Sequence, residues 1–205
     1  MKATVRCTVI LINVLFLGSV KSYGQNWDID ILKSINPRYP TSEYWRSTSA
    51  SAFYFSGVAS IGTLIYGFAN DNNQVRLNAY EEFVSVGLST IASEGLKIGI
   101  NRERPSNRYP NEVFVSSPTR GGSFPSGHTT LAFNTATTIS LEYRKWYVTL
   151  PAYVWAGSVG YSRLYLGKHY PSDVLAGSTL GIGTGYISHW LTKQLFKPYV
   201  KHIPK

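Results

Sequence analysis

Two stretches without a single charged residue, 51–69 and 147–162, restrict this chain more than any other feature. Each mixes aromatic residues with Gly, Ala and Ser, and neither shows the alternation of a half-buried strand. Small residues at helical spacing let helix backbones approach closely. Residues 81–100, 126–143 and 173–191 read the same way, and the last carries glycines at 177, 181, 183 and 185. The pattern predicts an all-α bundle of about five or six helices.

Composition bears on what surrounds such a bundle. Hydrophobic residues make up 43% and charged residues only 15% of the 205 residues, and both values lean away from disorder. The 15 tyrosines and 5 tryptophans suit a membrane interface. Mean hydropathy of −0.09 is low for a chain that crosses a bilayer many times. Residues 51–69 and 174–191 are nonetheless close to the roughly 20 apolar residues that a span needs. If the helices alternate in direction, Arg76, Arg144, Lys145, Lys193, Lys197, Lys201 and Lys205 share one side, as the positive-inside rule expects for cytoplasm, although the other side also carries many basic residues. The expectation is a membrane-associated bundle, with a soluble bundle burying the same apolar faces as the alternative. Residues 1–24 read as a signal peptide: Lys2 and Arg6, an apolar run over 7–17, then Gly18, Ser19, Ser22 and Gly24. A first membrane helix is the alternative. Residues 25–205 are expected to form one domain. Its first part, 25–50, is broken by Asn36-Pro37 and Tyr39-Pro40 and is expected to lie over the body as loops and short helices. The lone Cys7 rules out an intramolecular disulfide. The net charge of +9 favours anionic partners. The basic residues are dispersed, and no basic helix, zinc knuckle or RNA-binding aromatic pair points to nucleic acid.

Three short segments carry chemistry: Lys97 with Arg104-Pro105; Pro125-Ser126-Gly127-His128; and Ser162-Arg163, His169 and Asp173. A phosphate dianion needs several donors at once, and lysine and arginine supply charge and a planar fork. Alternating helices bring Lys97, Arg104 and Arg163 to one end of the bundle. Ser126-Gly127 reads as a helix start whose free N–H groups favour an anion, with Gly127 letting the backbone come close and the Ser126 hydroxyl adding a donor. His169 precedes another helix start. Asp173, four residues on, is placed to reach back and hold one ring nitrogen as N–H, leaving the other to attack phosphorus. His128 is placed to protonate the leaving alkoxide and then to activate water. Taken singly, each residue has an ordinary structural role, but their meeting at one end does not. Arg102, Arg108 and Arg120 read as loop residues that are solvated or attract anions. Glu94 reads as a helix-surface partner of Lys97. His189 and His202 receive no role. No cluster of carboxylates or histidines is spaced for a metal.

At these residues the sequence resembles the type-2 phosphatidic acid phosphatase superfamily, which also includes bacterial class A acid phosphatases and vanadium haloperoxidases. The resemblance spans roughly residues 81–190, and no position of the three-part signature departs from the pattern. It implies an all-α bundle and a phosphatase that needs no metal or other cofactor. It also implies phosphate binding by Lys97, Arg104, Ser126, Gly127 and Arg163, acid-base chemistry at His128, and a phosphohistidine on His169 partnered by Asp173. The stretch 165–177 looks more like membrane lipid phosphatases than soluble acid phosphatases. The expected substrate is therefore a lipid phosphate or diphosphate, such as phosphatidate, phosphatidylglycerol phosphate, undecaprenyl diphosphate or lipid A. The expected setting is a bacterial inner membrane with the site facing the periplasm. The alternatives are a soluble periplasmic acid phosphatase of broad specificity, a vanadate haloperoxidase, and a non-catalytic phosphate or lipid binder.

Overall fold

Polar side chains fill the inside of this bundle and apolar ones cover much of the outside. The computed structural model describes residues 25–195, which form helices and connecting loops with no strand. The elements are α1 (Gln25–Ile35), α2 (Glu43–Ala69), α3 (Asn73–Ile100), the single turn α4 (Pro105–Arg108), α5 (Gly127–Tyr143), α6 (Trp146–Tyr165) and α7 (Pro171–Leu195). The readings made for residues 1–24 and for the end of the chain lie outside the described residues.

Two helices start earlier than the apolar pattern suggests. Helix α2 begins at Glu43 because the Ser42 hydroxyl caps it by accepting from Trp45 N, and Arg46 donates to Glu43 at 2.8 Å. Helix α3 begins at Asn73 because Asn72 Oδ1 accepts from Val75 N at 3.1 Å. Such caps satisfy orphan donors and extend helices through polar sequence. The segment 25–50, expected as loops and short helices, holds α1 and the first two turns of α2.

Helices α5 and α7 pack most intimately. A Cβ at Gly177 would lie 2.7 Å from the Ser126 carbonyl oxygen, and one at Gly181 would meet the Thr130 carbonyl oxygen and lie 2.9 Å from Asn134 N. One at Gly185 would lie 2.9 Å from Thr137 Cβ. Only hydrogen fits along this seam, the small-residue packing of helices that lack a hydrophobic drive to associate.

The interior is joined by side-chain hydrogen bonds between helices. Ser56 and Thr135 share a bond of 2.6 Å, Ser85 donates to Asn134 Oδ1 at 3.0 Å, and Asn134 donates to Thr184 Oγ1 at 3.0 Å. Outside, Phe53, Tyr54, Phe55, Val58, Ile61 and Ile65 of α2 are exposed, as are Ile91 and Ile98 of α3. The segments Glu43–Ala69 and Asn73–Arg108 are long and apolar enough to cross a membrane, and only 22% and 17% of their most apolar windows are buried. A water-soluble bundle would show the reverse arrangement.

One apolar cluster sits at the end where α3 and α6 finish and α5 and α7 start. Ile29 and Leu32 of α1 pack there with Val113, Leu164 and Tyr170. Helix α1 thereby closes over that end.

Candidate active site

Chain direction alone brings the three sequence segments together. Lys97 lies in the last turn of α3 and Arg163 in that of α6, Gly127 and His128 open α5, and Asp173 lies in the first turn of α7. Asn101, in the left-handed region at φ 42°, ends α3 and turns the chain into the loop that carries Arg104.

His169 is buried and its Nδ1 lies 2.7 Å from the Ser123 carbonyl oxygen. A carbonyl only accepts, so Nδ1 carries the proton and Nε2 keeps its lone pair. Asp173 Oδ2 is 3.7 Å from the same nitrogen, within ion-pair range but too far for a hydrogen bond. The carboxylate thus acts on the ring through its charge, while the backbone of Ser123 fixes the tautomer. Complete burial pushes the imidazole down to about 4, with Arg163 and Arg104 adding to the fall and Asp173 opposing it.

Asp173 is itself fully buried and densely bonded. Its Oδ2 accepts from Ser123 Oγ at 2.5 Å and from Tyr170 N at 2.9 Å, and Oδ1 accepts from Arg102 at 2.7 Å. Its carbonyl oxygen accepts from Ser126 N at 3.0 Å, which ties the start of α7 to the start of α5.

The cations are held differently from one another. Arg163 is buried; its Nη1 donates to Ser49 Oγ on α2 at 2.5 Å, and its buried Nε finds no acceptor among the described residues. Arg104 donates to the carbonyl oxygens of Gly121, Lys168, Gly122 and Arg120 at 3.0, 2.9, 3.1 and 3.4 Å. These bonds leave one Nη1 hydrogen of its five N–H donors. Arg104 therefore braces the surrounding loops as well as charging the site. Burial, more than any neighbour, takes the basicity of Lys168 down to about 8. Lys168 spends its ammonium on the Ser117 carbonyl, Ser117 Oγ and Thr119 Oγ1. Lys97 Nζ contacts Glu94 Oε1 at 2.5 Å and would lie 3.1 Å from a Cβ at Gly127. A side chain at position 127 would thus crowd the ammonium, which would have to shift by a few tenths of an ångström.

The start of α5 has no side-chain cap. The Ser126 hydroxyl, expected to point at an anion, is buried and shares a 2.8 Å bond with Thr129 Oγ1. The first N–H groups of α5 therefore remain open next to Lys97. His128 is half-buried, feels the charges of Arg163, His169, Lys97 and Arg104, and meets the ring of Phe53 edge-on at 4.7 Å between centroids. Every residue expected at the site is thus brought to one end of the bundle. Among the described residues no group of three or more His, Cys, Asp or Glu stands ready to hold a metal.

Several participants had no sequence signal. Ser123 works through its carbonyl, which every residue possesses. Arg102, read as a loop residue, is held between Asp28 and Asp173, and its partner Asp28 is 74 positions away. Ser49 and Phe53 touch the site from α2, one helical turn apart on one face.

Comparison with known proteins gives a consistent picture. The lipid A 4'-phosphatase of Bacteroides thetaiotaomicron is 34% identical over 101 residues, covering 47% of this chain and 45% of that protein. The chain thus spans about half the length of this relative. The undecaprenyl-diphosphatase of Sulfolobus acidocaldarius is 26% identical over 196 residues, 88% of this chain and 84% of that one. The crystal structure of Aquifex aeolicus LpxE superposes with a TM-score of 0.65 at 28% identity, over 83% of this chain and 98% of that chain. A family model described as the PAP2 superfamily matches residues 81–197. That match takes in His128, His169, Lys97, Arg104 and Arg163, and the chain belongs to the PAP2 superfamily.

Proposed function

We propose that this chain is a phosphatase that hydrolyses a phosphorylated membrane lipid through a phosphohistidine on His169. The observation that carries the reading is the fixed tautomer of a buried, neutral imidazole beside an arginine whose Nε is buried without an acceptor. A phosphate oxygen supplies the missing acceptor at Arg163. Lys97, the remaining Arg104 hydrogen and the open N–H groups of α5 receive the others.

The steps follow from these positions. Nε2 of His169 attacks phosphorus and the bond to the lipid oxygen breaks; His128, which burial and the surrounding cations push down to about 2 and which the bound phosphate dianion must recharge, protonates the departing alkoxide. His128 then takes a proton from water, whose oxygen attacks phosphorus. The P–N bond breaks, inorganic phosphate leaves and Nε2 regains its lone pair. Charge spreads over three equatorial oxygens in each transition state, and fixed cations answer it without rearranging.

A lipid substrate is supported by the apolar exterior of α2 and α3, which reaches His128 at Phe53. The relatives named as a lipid A 4'-phosphatase and an undecaprenyl-diphosphatase agree with it. The same exterior disfavours the soluble acid phosphatase. Arg76, Arg144, Lys145 and Lys193 lie at the end opposite the site. The site end carries many basic residues as well, Arg102, Arg108, Arg120 and Lys168 among them, so a periplasmic site rests on the lipid assignment rather than on the charge of the loops.

The test is phosphate release in detergent from lipid A, undecaprenyl diphosphate, phosphatidylglycerol phosphate and phosphatidate, set against small soluble esters. His169→Ala is expected to lose turnover on every substrate while keeping its thermal midpoint. Near-normal hydrolysis by that variant removes the nucleophile, and a preference for soluble esters removes the lipid assignment.

A further inference from the structure

We propose that Asp28, on α1 and outside the family-matched region, is a positioning residue that holds the His169 nucleophile through Arg102 and Asp173. The inference rests on His169 being the nucleophile.

Asp28 is buried at 2% exposure, unusual for an unpaired acid and affordable only with partners. Its Oδ2 accepts from Arg102 Nη2 at 2.8 Å and from Ser172 Oγ at 2.5 Å, and its Oδ1 accepts from Ser172 N at 2.8 Å. Arg102 Nη1 continues the chain to Ser172 Oγ at 2.6 Å and Asp173 Oδ1 at 2.7 Å. The face of its guanidinium lies 3.9 Å over the Tyr170 ring. Asp173 then holds Ser123, whose carbonyl oxygen holds His169 Nδ1. An unbroken line of short bonds therefore runs from α1 to the imidazole.

Two consequences follow for the reaction. The first is geometric: Asp28 sets where the start of α7 sits relative to the Ser123 loop, and both flank His169. The second is electrostatic. Asp28 and Asp173 place two negative charges about one positive Arg102, so the network keeps a net negative charge near His169. That charge favours the ring as it gains positive character on attack. With Asp28 neutral, Arg102 cancels Asp173 and the help is lost; with Arg102 gone both carboxylates keep their charge, and the loss comes through the first, geometric consequence alone. An Asn at position 28 also offers one acceptor where three donors converge, and turns its own N–H groups toward them. Neither consequence involves substrate binding, because Asp28 lies behind His169 on the Asp173 side.

The experiment uses the full chain in detergent. Asp28→Asn and Arg102→Gln are each expected to lower kcat by about 100-fold while KM stays within twofold, on a lipid phosphate and a soluble ester alike. The double variant is expected to be no worse than Arg102→Gln alone, because both changes act on one line. Leu32→Ala loosens the same helix without touching that line; it is expected to lower the thermal midpoint and leave kcat intact. Unchanged kcat in Asp28→Asn, multiplicative losses in the double variant, or loss of kcat in Leu32→Ala would each overturn the inference. If Asp28→Asn does not fold, Arg102→Gln alone decides on the same split between kcat and KM. His169→Ala separates the two readings. An inactive His169→Ala beside a normal Asp28→Asn removes only the positioning role, and an active His169→Ala removes the nucleophile as well.

Discussion

Alanine at two glycines of α7, only two positions apart, should move stability in opposite directions. At Gly181 a methyl group would run into the Thr130 carbonyl oxygen and lie 2.9 Å from Asn134 N and 3.0 Å from Phe133 Cβ. Two of these atoms are backbone and cannot swing aside. Helix α7 must therefore back away from α5 by roughly an ångström to restore ordinary contact. Overpacking of this kind costs about 1–3 kcal/mol. The 3.0 Å bond from Asn134 to Thr184 Oγ1, one turn along, stretches with it. Loss of such an interhelical bond costs about 0.6–2 kcal/mol. The better helix propensity of alanine returns up to about 1 kcal/mol. The net loss is about 1–4 kcal/mol, which lowers Tm by roughly 2–16 °C for a chain of this size. At Gly183 nothing lies within 4 Å of the added carbon. There only the propensity term acts, and Tm should rise by roughly 2–4 °C. Thermal unfolding of both variants in one detergent measures the contrast. Equal shifts, or a rise at Gly181, would refute the claim that α5 and α7 touch backbone to backbone.

Phe53→Ala removes the apolar ring beside His128 but no polar group of the site. It should lower kcat/KM for a lipid phosphate by about tenfold and leave a soluble phenyl phosphate within twofold; equal loss on both would mean the ring serves only to pack His128. The pH profile tests the burial of His169. Its imidazole is neutral above about 4, so the nucleophile is lost only as pH falls through that value. The acid limb of kcat/KM, corrected for ionisation of the ester, should bend near 4, and a bend near 6.5 tracing to His169 would contradict the buried placement.

Much of this arrangement was readable from short-range pattern. Charge-free segments with small residues define the helices, and motif spacing puts Lys97, Gly127, Arg163 and His169 at helix ends. Alternation of direction then brings them together, with no long-range contact needed. Helix starts at Glu43 and Asn73 were missed because their caps, Ser42 and Asn72, sit in polar sequence that resembles loop. The pairing of Asp28 with Arg102 was missed because an ion pair between distant positions leaves no local trace. The hold on His169 was assigned to Asp173 because a carboxylate four residues on is visible in a sequence, whereas the Ser123 carbonyl is not. The outward turn of the apolar faces was also hard to read. Helices of mixed small and large residues have little sidedness, and packing geometry decides which flank faces inward.

The four carbonyl bonds of Arg104 have a cost at the end of the catalytic cycle. They lock residues 120–122 and 168 around the anion hole before any lipid arrives, so little ordering remains to be done on entry. Free phosphate presents the same oxygens to the same rigid walls, and nothing in the brace loosens when the ester is cut. Orthophosphate should therefore linger, and its departure rather than bond cleavage would set the ceiling on turnover.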